Sequence, residues 1–136
     1  MNVSTGVYDK ITGRLRLSGH GPEADAELDA GDGEAVVYAY VDVNMDYVNL
    51  YTLLPAPRPT IQSILTSAVI TSNEIDTTSL VGLPDPCTIT YTGPGFEQTG
   101  EVTGGTATFT TDTLGAHTVK VVAFPYLDWE GTFNAV

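Results

Sequence analysis

A mainly β chain is predicted, with N-terminal β-hairpins and one short helix over residues 1–59, followed by a β-sandwich over residues 60–136. Three observations predict it. Apolar residues make up 42% of the 136 positions and charged ones 16%, and the remainder is dominated by Thr, Ser, Gly and Pro, which favour strands and tight turns. Period-two alternation recurs, most clearly in Thr106-Ala107-Thr108-Phe109-Thr110 and Thr118-Val119-Lys120-Val121-Val122, so one face of each run is buried and the other wet. No long amphipathic run interrupts the series, which argues against crossover helices and a parallel sheet. A chain of this length buries one modest core, and two independent cores are not expected.

In order, Gly6 to Leu17 reads as a hairpin whose polar turn spans residues 9–13. Pro22 at a first helical position, acids in the next turn, Ala filling and Gly31 at the end agree on one short helix near residues 22–30. The run 35–41 is a strand, and a polar turn leads to a partner strand over 47–53. This half has too few large residues for a core of its own. Pro55-Ala56-Pro57-Arg58-Pro59 removes three backbone donors in five residues, so a stiff hinge or spacer is expected there. Beyond it, strands are expected over about 61–71, 75–81, 87–92, 96–102, 106–111, 117–123 and 129–135, separated by Gly- and Pro-rich turns.

Charge and cysteine content narrow the function classes. Five basic and 17 acidic residues give a net charge of −12, which repels phosphate backbones and anionic lipid, so neither nucleic acid nor a membrane is expected as a partner. The acids are spread over both halves: residues 1–60 hold 4 basic and 9 acidic groups, and residues 61–136 hold 1 and 8. Cys87 is the single cysteine, so no internal disulfide forms and the fold rests on packing. The first residues lack the apolar core of a secretion signal, and no stretch approaches the roughly 20 apolar residues of a membrane span. Folding in a reducing cytoplasm is expected.

Each half of the chain then carries a resemblance. Ser79-Leu80-Val81-Gly82-Leu83-Pro84-Asp85-Pro86-Cys87-Thr88-Ile89-Thr90, Gly105-Thr106-Ala107-Thr108-Phe109-Thr110 and Leu114-Gly115-Ala116-His117-Thr118-Val119-Lys120-Val121 resemble a small immunoglobulin-like module of bacteriophage virion proteins and bacterial surface proteins. The antibody-type Cys…Trp…Cys pattern is absent, so this likeness rests on strand count. The hairpin Gly6 to Gly13, the segment Gly21 to Gly31, Gly33-Glu34-Ala35-Val36-Val37, Tyr47-Val48 and the exit Pro55 to Pro59 are similar to the start of short proteins encoded among tailed-phage tail genes. The resemblance implies a non-enzymatic virion structural protein of the tail tip, baseplate or fibre, made in the host cytoplasm. Its N-terminal half would anchor and its immunoglobulin-like domain would project. It also implies other virion proteins as partners, a homo-oligomer in a trimer or hexamer context, and no cofactor. A capsid decoration protein and a cell-surface module gripping a host-surface glycan are the alternative readings.

Candidate site residues follow from residue type. Tyr8, Tyr38, Tyr40, Tyr47 and Tyr51 place five of the seven tyrosines in the first half, which suits a docking surface, or alternatively packing against the second half. Phe124, Tyr126 and Trp129 form one aromatic loop that would either contact a ligand or close the sandwich core. Asp42-Val43-Asn44-Met45-Asp46 has the opening spacing of a calcium loop, but Tyr47 stands where Gly is needed and Leu53 where Glu is needed, so no such loop is expected. The acids from Glu23 to Glu34 read as a solvated face. His20 and His117 lack a second ligand at metal spacing, and His117 is expected to pack at a sandwich edge. Cys87 reads as a buried inert thiol. No residues are assigned to catalysis or to a metal.

Overall fold

The first hairpin turns at Asp9. In the computed structural model, which describes residues 1–136, Asp9 Oδ1 accepts the backbone N–H of Ile11 at 2.7 Å and of Thr12 at 3.0 Å, an Asx turn. Those donors, Thr12 first, hold the Asp9 carboxyl below its usual range. Gly13 completes the turn at φ +79°, where a Cβ would collide with the Val48 carbonyl oxygen, so only glycine fits. Strands β1 (Asn2–Asp9) and β2 (Leu15–Pro22) leave this turn as an antiparallel pair with one bulge between Val7 and Tyr8.

The expected helix is a 3₁₀ helix, Glu23–Asp29, with no side-chain cap. Its return is fixed by Glu34, which accepts Gly31 N at 2.9 Å and a fork from Arg16, Nε at 2.7 Å and Nη2 at 2.9 Å. Strand β3 (Glu34–Val37) pairs with the free edge of β1, giving the order β2-β1-β3. The expected strand over 35–41 therefore stops at Val37. Beyond it Tyr38 donates its hydroxyl to Glu27 at 2.9 Å, and Val41 turns into the core above Gly6, where a Cβ would stand 2.6 Å from Val41 Cγ2.

Strands β4 (Asp46–Asn49) and β5 (Leu54–Pro57) form a separate two-stranded hairpin. The proline segment expected as a spacer is thus largely strand. Arg58 N donates to Met45 O at 2.8 Å, which makes Asp46 and Pro57 a non-hydrogen-bonded pair, and the register puts Pro55 in the same phase opposite Val48. Both ring nitrogens face away from β4, where no donor is required. Pro-x-Pro has the period of a strand.

The chain divides into two compact units, Met1–Pro59 and Thr60–Val136. Contrary to expectation the first has a core of its own: Tyr8, Leu15, Val37, Val41 and Val48 are buried together. It is small, and it exists because Tyr8 turns inward and Gly6 leaves room for Val41.

In the second unit the strands are β6 (Ile64–Leu65), β7 (Val69–Ile70), β8 (Thr78–Val81), β9 (Cys87–Gly93), β10 (Phe96–Val102), β11 (Thr106–Phe109), β12 (Gly115–Val122) and β13 (Trp129–Ala135). They make a five-stranded sheet, β10-β9-β12-β13-β7, and a three-stranded sheet, β11-β8-β6. All pairs are antiparallel except β7 with β13. Leu80 and Phe109 of the smaller sheet share one core with Ile89, Val119, Val121 and Phe133 of the larger, and each such side chain contributes about 1.5–3 kcal/mol of burial.

The expected strand over 61–71 is two short pieces, one in each sheet, both paired within the chain. Between them Thr78, fully buried, donates Oγ1 to Ser67 O at 2.7 Å and accepts Ser67 N at 3.0 Å. That side chain satisfies backbone groups that neither sheet can reach. Strands hold 51% of the residues and helix 5%, so the fold is mainly β. No helix is long and apolar enough to cross a membrane.

Candidate functional site

The five tyrosines do not make one surface. Tyr8 belongs to the core of the first unit and is 6% exposed, so it is withdrawn from any docking role. Tyr38 is half exposed and tied to Glu27, which pushes its hydroxyl pKa up through that hydrogen bond. Tyr40 lines a hollow with Ser4, Ser18 and His20, whereas Tyr47 and Tyr51 line another with Thr12 and Leu50. His20 Nδ1 is bonded to Ser4 Oγ at 3.1 Å, its cross-strand neighbour. Asp42 and Asp46 are engaged in their own turn: Asp42 Oδ1 accepts Asn44 N at 2.9 Å and Asp46 Oδ2 accepts Asp42 N at 2.9 Å.

What gathers at one end of the first unit is a group of apolar side chains, mostly aliphatic. The β4–β5 turn exposes Leu50, Tyr51, Leu53 and Leu54, with Tyr51 at 100%. The β1–β2 turn lies beside it through Val48 N donating to Gly13 O at 2.9 Å, and it adds Ile11 at 84% exposure. This apolar tip is rigidly built. Asn49 Oδ1 accepts Tyr51 N at 2.9 Å, Leu53 N donates to Asn49 O at 2.7 Å, and Leu53 itself sits at φ +58°. A leucine in the left-handed region costs about 1–2 kcal/mol, so the turn holds an apolar side chain outward against both strain and solvation. A Leu-Tyr-Thr-Leu-Leu run between two strands was a legible signal that the tyrosine count obscured.

In the second unit the aromatic loop splits. Trp129 shares the inward phase of Phe133 on β13, its ring lies over Gly131, and it packs half-buried against the core away from the hollow. Tyr126, which packs half-buried against the same core, and Phe124 wall an open hollow of about 430 Å³. Its floor and rim include Val122, Thr88, Glu101 and Asp85. Thr88 is the register partner of both Glu101 and Val122, so the three form one row across β10, β9 and β12. The row is invisible without the register, which is why sequence reading passed over Thr88 and Glu101. Cys87 lies at the base, with burial first and the Asp85 charge second pushing its thiol pKa up, so it stays a protonated thiol.

His117 is fully buried at the centre of an aromatic stack rather than at an edge. It lies 5.1 Å from the Phe133 centroid at 8° and 5.7 Å from Tyr91 at 24°. Nε2 faces the Thr113 carbonyl at 2.9 Å and Nδ1 the Tyr91 hydroxyl at 3.1 Å. A carbonyl only accepts, so Nε2 carries the hydrogen and, in the neutral ring, Nδ1 accepts from Tyr91. The ring is a structural hub. No protein-family model matches the chain, and neither a curated protein nor a solved structure matches it.

Proposed function

We propose that the chain is a non-enzymatic structural component of a tailed-phage virion, docked through the first unit and presenting the second as an immunoglobulin-like module. The observation that carries the docking half is the apolar tip, where Ile11, Leu53 and Leu54 stand more than half exposed on turns stiffened by Asn49 and Asp9. Preorganised apolar side chains of this kind lose little entropy when a partner covers them. The immunoglobulin-like reading is supported by the split first segment, which gives β6 to one sheet and β7 to the other, where β7 runs parallel to the last strand. The virion setting rests on the resemblance of the two halves to phage virion modules.

Particles of the phage that encodes the chain provide the test. The chain should be found in purified virions, with antibody against the second unit labelling the intact particle. Tyr51→Ala combined with Leu54→Asp should reduce incorporation at least tenfold while the isolated variant keeps its melting temperature, since both side chains face solvent in the free chain. Absence of the chain from purified particles would overturn the proposal.

A further inference from the structure

We infer that the hollow walled by Phe124 and Tyr126 is a binding site for a neutral carbohydrate, a role that goes beyond virion assembly and does not depend on it. Its chemistry is mixed in the way a pyranoside requires. The two rings and the Val122 side chain offer apolar surface to the C–H faces of a sugar, while Asp85, Glu101 and Thr88 offer acceptors to its hydroxyls. A volume of about 430 Å³ lies within the range of small-molecule sites and accommodates one or two sugar rings.

Charge excludes anionic ligands. No Lys, Arg or His lines the hollow, and the chain carries a net charge of −12, so phosphate, sulfate and carboxylate ligands are repelled. Asp85 and Glu101 are both exposed, and an ion pair with an ammonium ligand at such a position is screened and worth little. Hydroxyl-to-carboxylate hydrogen bonds are charge-assisted and do not depend on the ligand's own charge. The hollow also continues onto a hydroxyl-bearing sheet face. Thr90 and Thr99, the next outward pair on β9 and β10, stand 3.1 Å apart through their Oγ1 atoms, so a longer saccharide has further partners along the same rows.

The test is a ¹H–¹⁵N titration of the full chain with cellobiose, maltose and N,N′-diacetylchitobiose, with tetramethylammonium chloride and calcium chloride as comparison probes. At least one disaccharide should shift the amides of residues 84–88, 101 and 122–126 saturably, with Kd on the order of 1 mM and little change on raising salt. Phe124→Ala should weaken that binding about tenfold, and Glu101→Ala, on the exposed face of β10, about threefold to tenfold. If Phe124→Ala fails to fold, Phe124→Leu and Glu101→Ala carry the comparison. No saturable shift with any disaccharide overturns the proposal. So does sugar binding that survives both substitutions, or a hollow that answers only to tetramethylammonium or calcium.

Discussion

At His117 burial, stacking and hydrogen bonding meet in one ring. Gly93 makes this arrangement possible, because a Cβ there would stand 2.6 Å from His117 Nδ1 and collide with the Phe96 ring. Burial raises the Tyr91 pKa while its bond to Thr111 works against the rise, so the phenol keeps its hydrogen and donates it to Nδ1. Tyr91→Phe keeps the stack but leaves Nδ1 buried without its donor, and should cost about 1–3 kcal/mol, read as a lower denaturation midpoint at unchanged slope. An unchanged midpoint would assign the bond no structural weight. Little of this was legible beforehand, because alternation places His117 on the inward face with Val119 and Val121 yet does not say which strand lies opposite. The same limit applied to Tyr8, which shares the inward face of β1 with Gly6, because alternation does not say that Leu15, Val37 and Val41 lie opposite.

Where Gly- and Pro-rich turns bracket a strand, its extent is readable: β10 and β13 run over the residues expected between their turns, 96–102 and 129–135. Elements set by tertiary contacts were not. The strand after Glu34 ends early because Val41 is needed in the core, and the run 61–71 breaks because it serves two sheets. The Arg16–Glu34 fork ties β2 to β3 across β1 and yields a pH prediction. The Arg16 hydrogen bond first, then Gly31 N, depresses the Glu34 pKa, and backbone donors depress that of Asp9. A carboxylate whose pKa is lowered by folding adds stability above its unfolded pKa and loses it as pH falls through the folded one. The first unit should therefore weaken as pH drops below about 4, and Glu34→Gln or Asp9→Asn should flatten that fall. Circular dichroism melts across the acid range check this, and variants as acid-sensitive as the parent would contradict it.

On the scale of the whole chain the two units differ in how well they can stand alone. The second has eleven buried residues in its core cluster against five in the first, and hydrophobic stabilisation follows the area buried. Residues 60–136 expressed alone should unfold in one cooperative transition with dispersed amide resonances, whereas residues 1–59 alone should be marginal. A fragment 60–136 lacking dispersion would show that its two sheets need the rest of the chain. Mainly β content followed from composition, but a second core did not, since it depends on one inward tyrosine and one glycine.

The strand-phased prolines have a consequence for copies held at high density. Every sheet edge is a template on which another chain can polymerise. On β5 the two positions facing outward are Pro55 and Pro57, which present carbonyls and no N–H. An incoming strand would find acceptors without donors there, so fibril growth is capped on that side, beside the apolar tip whose exposure would otherwise invite it.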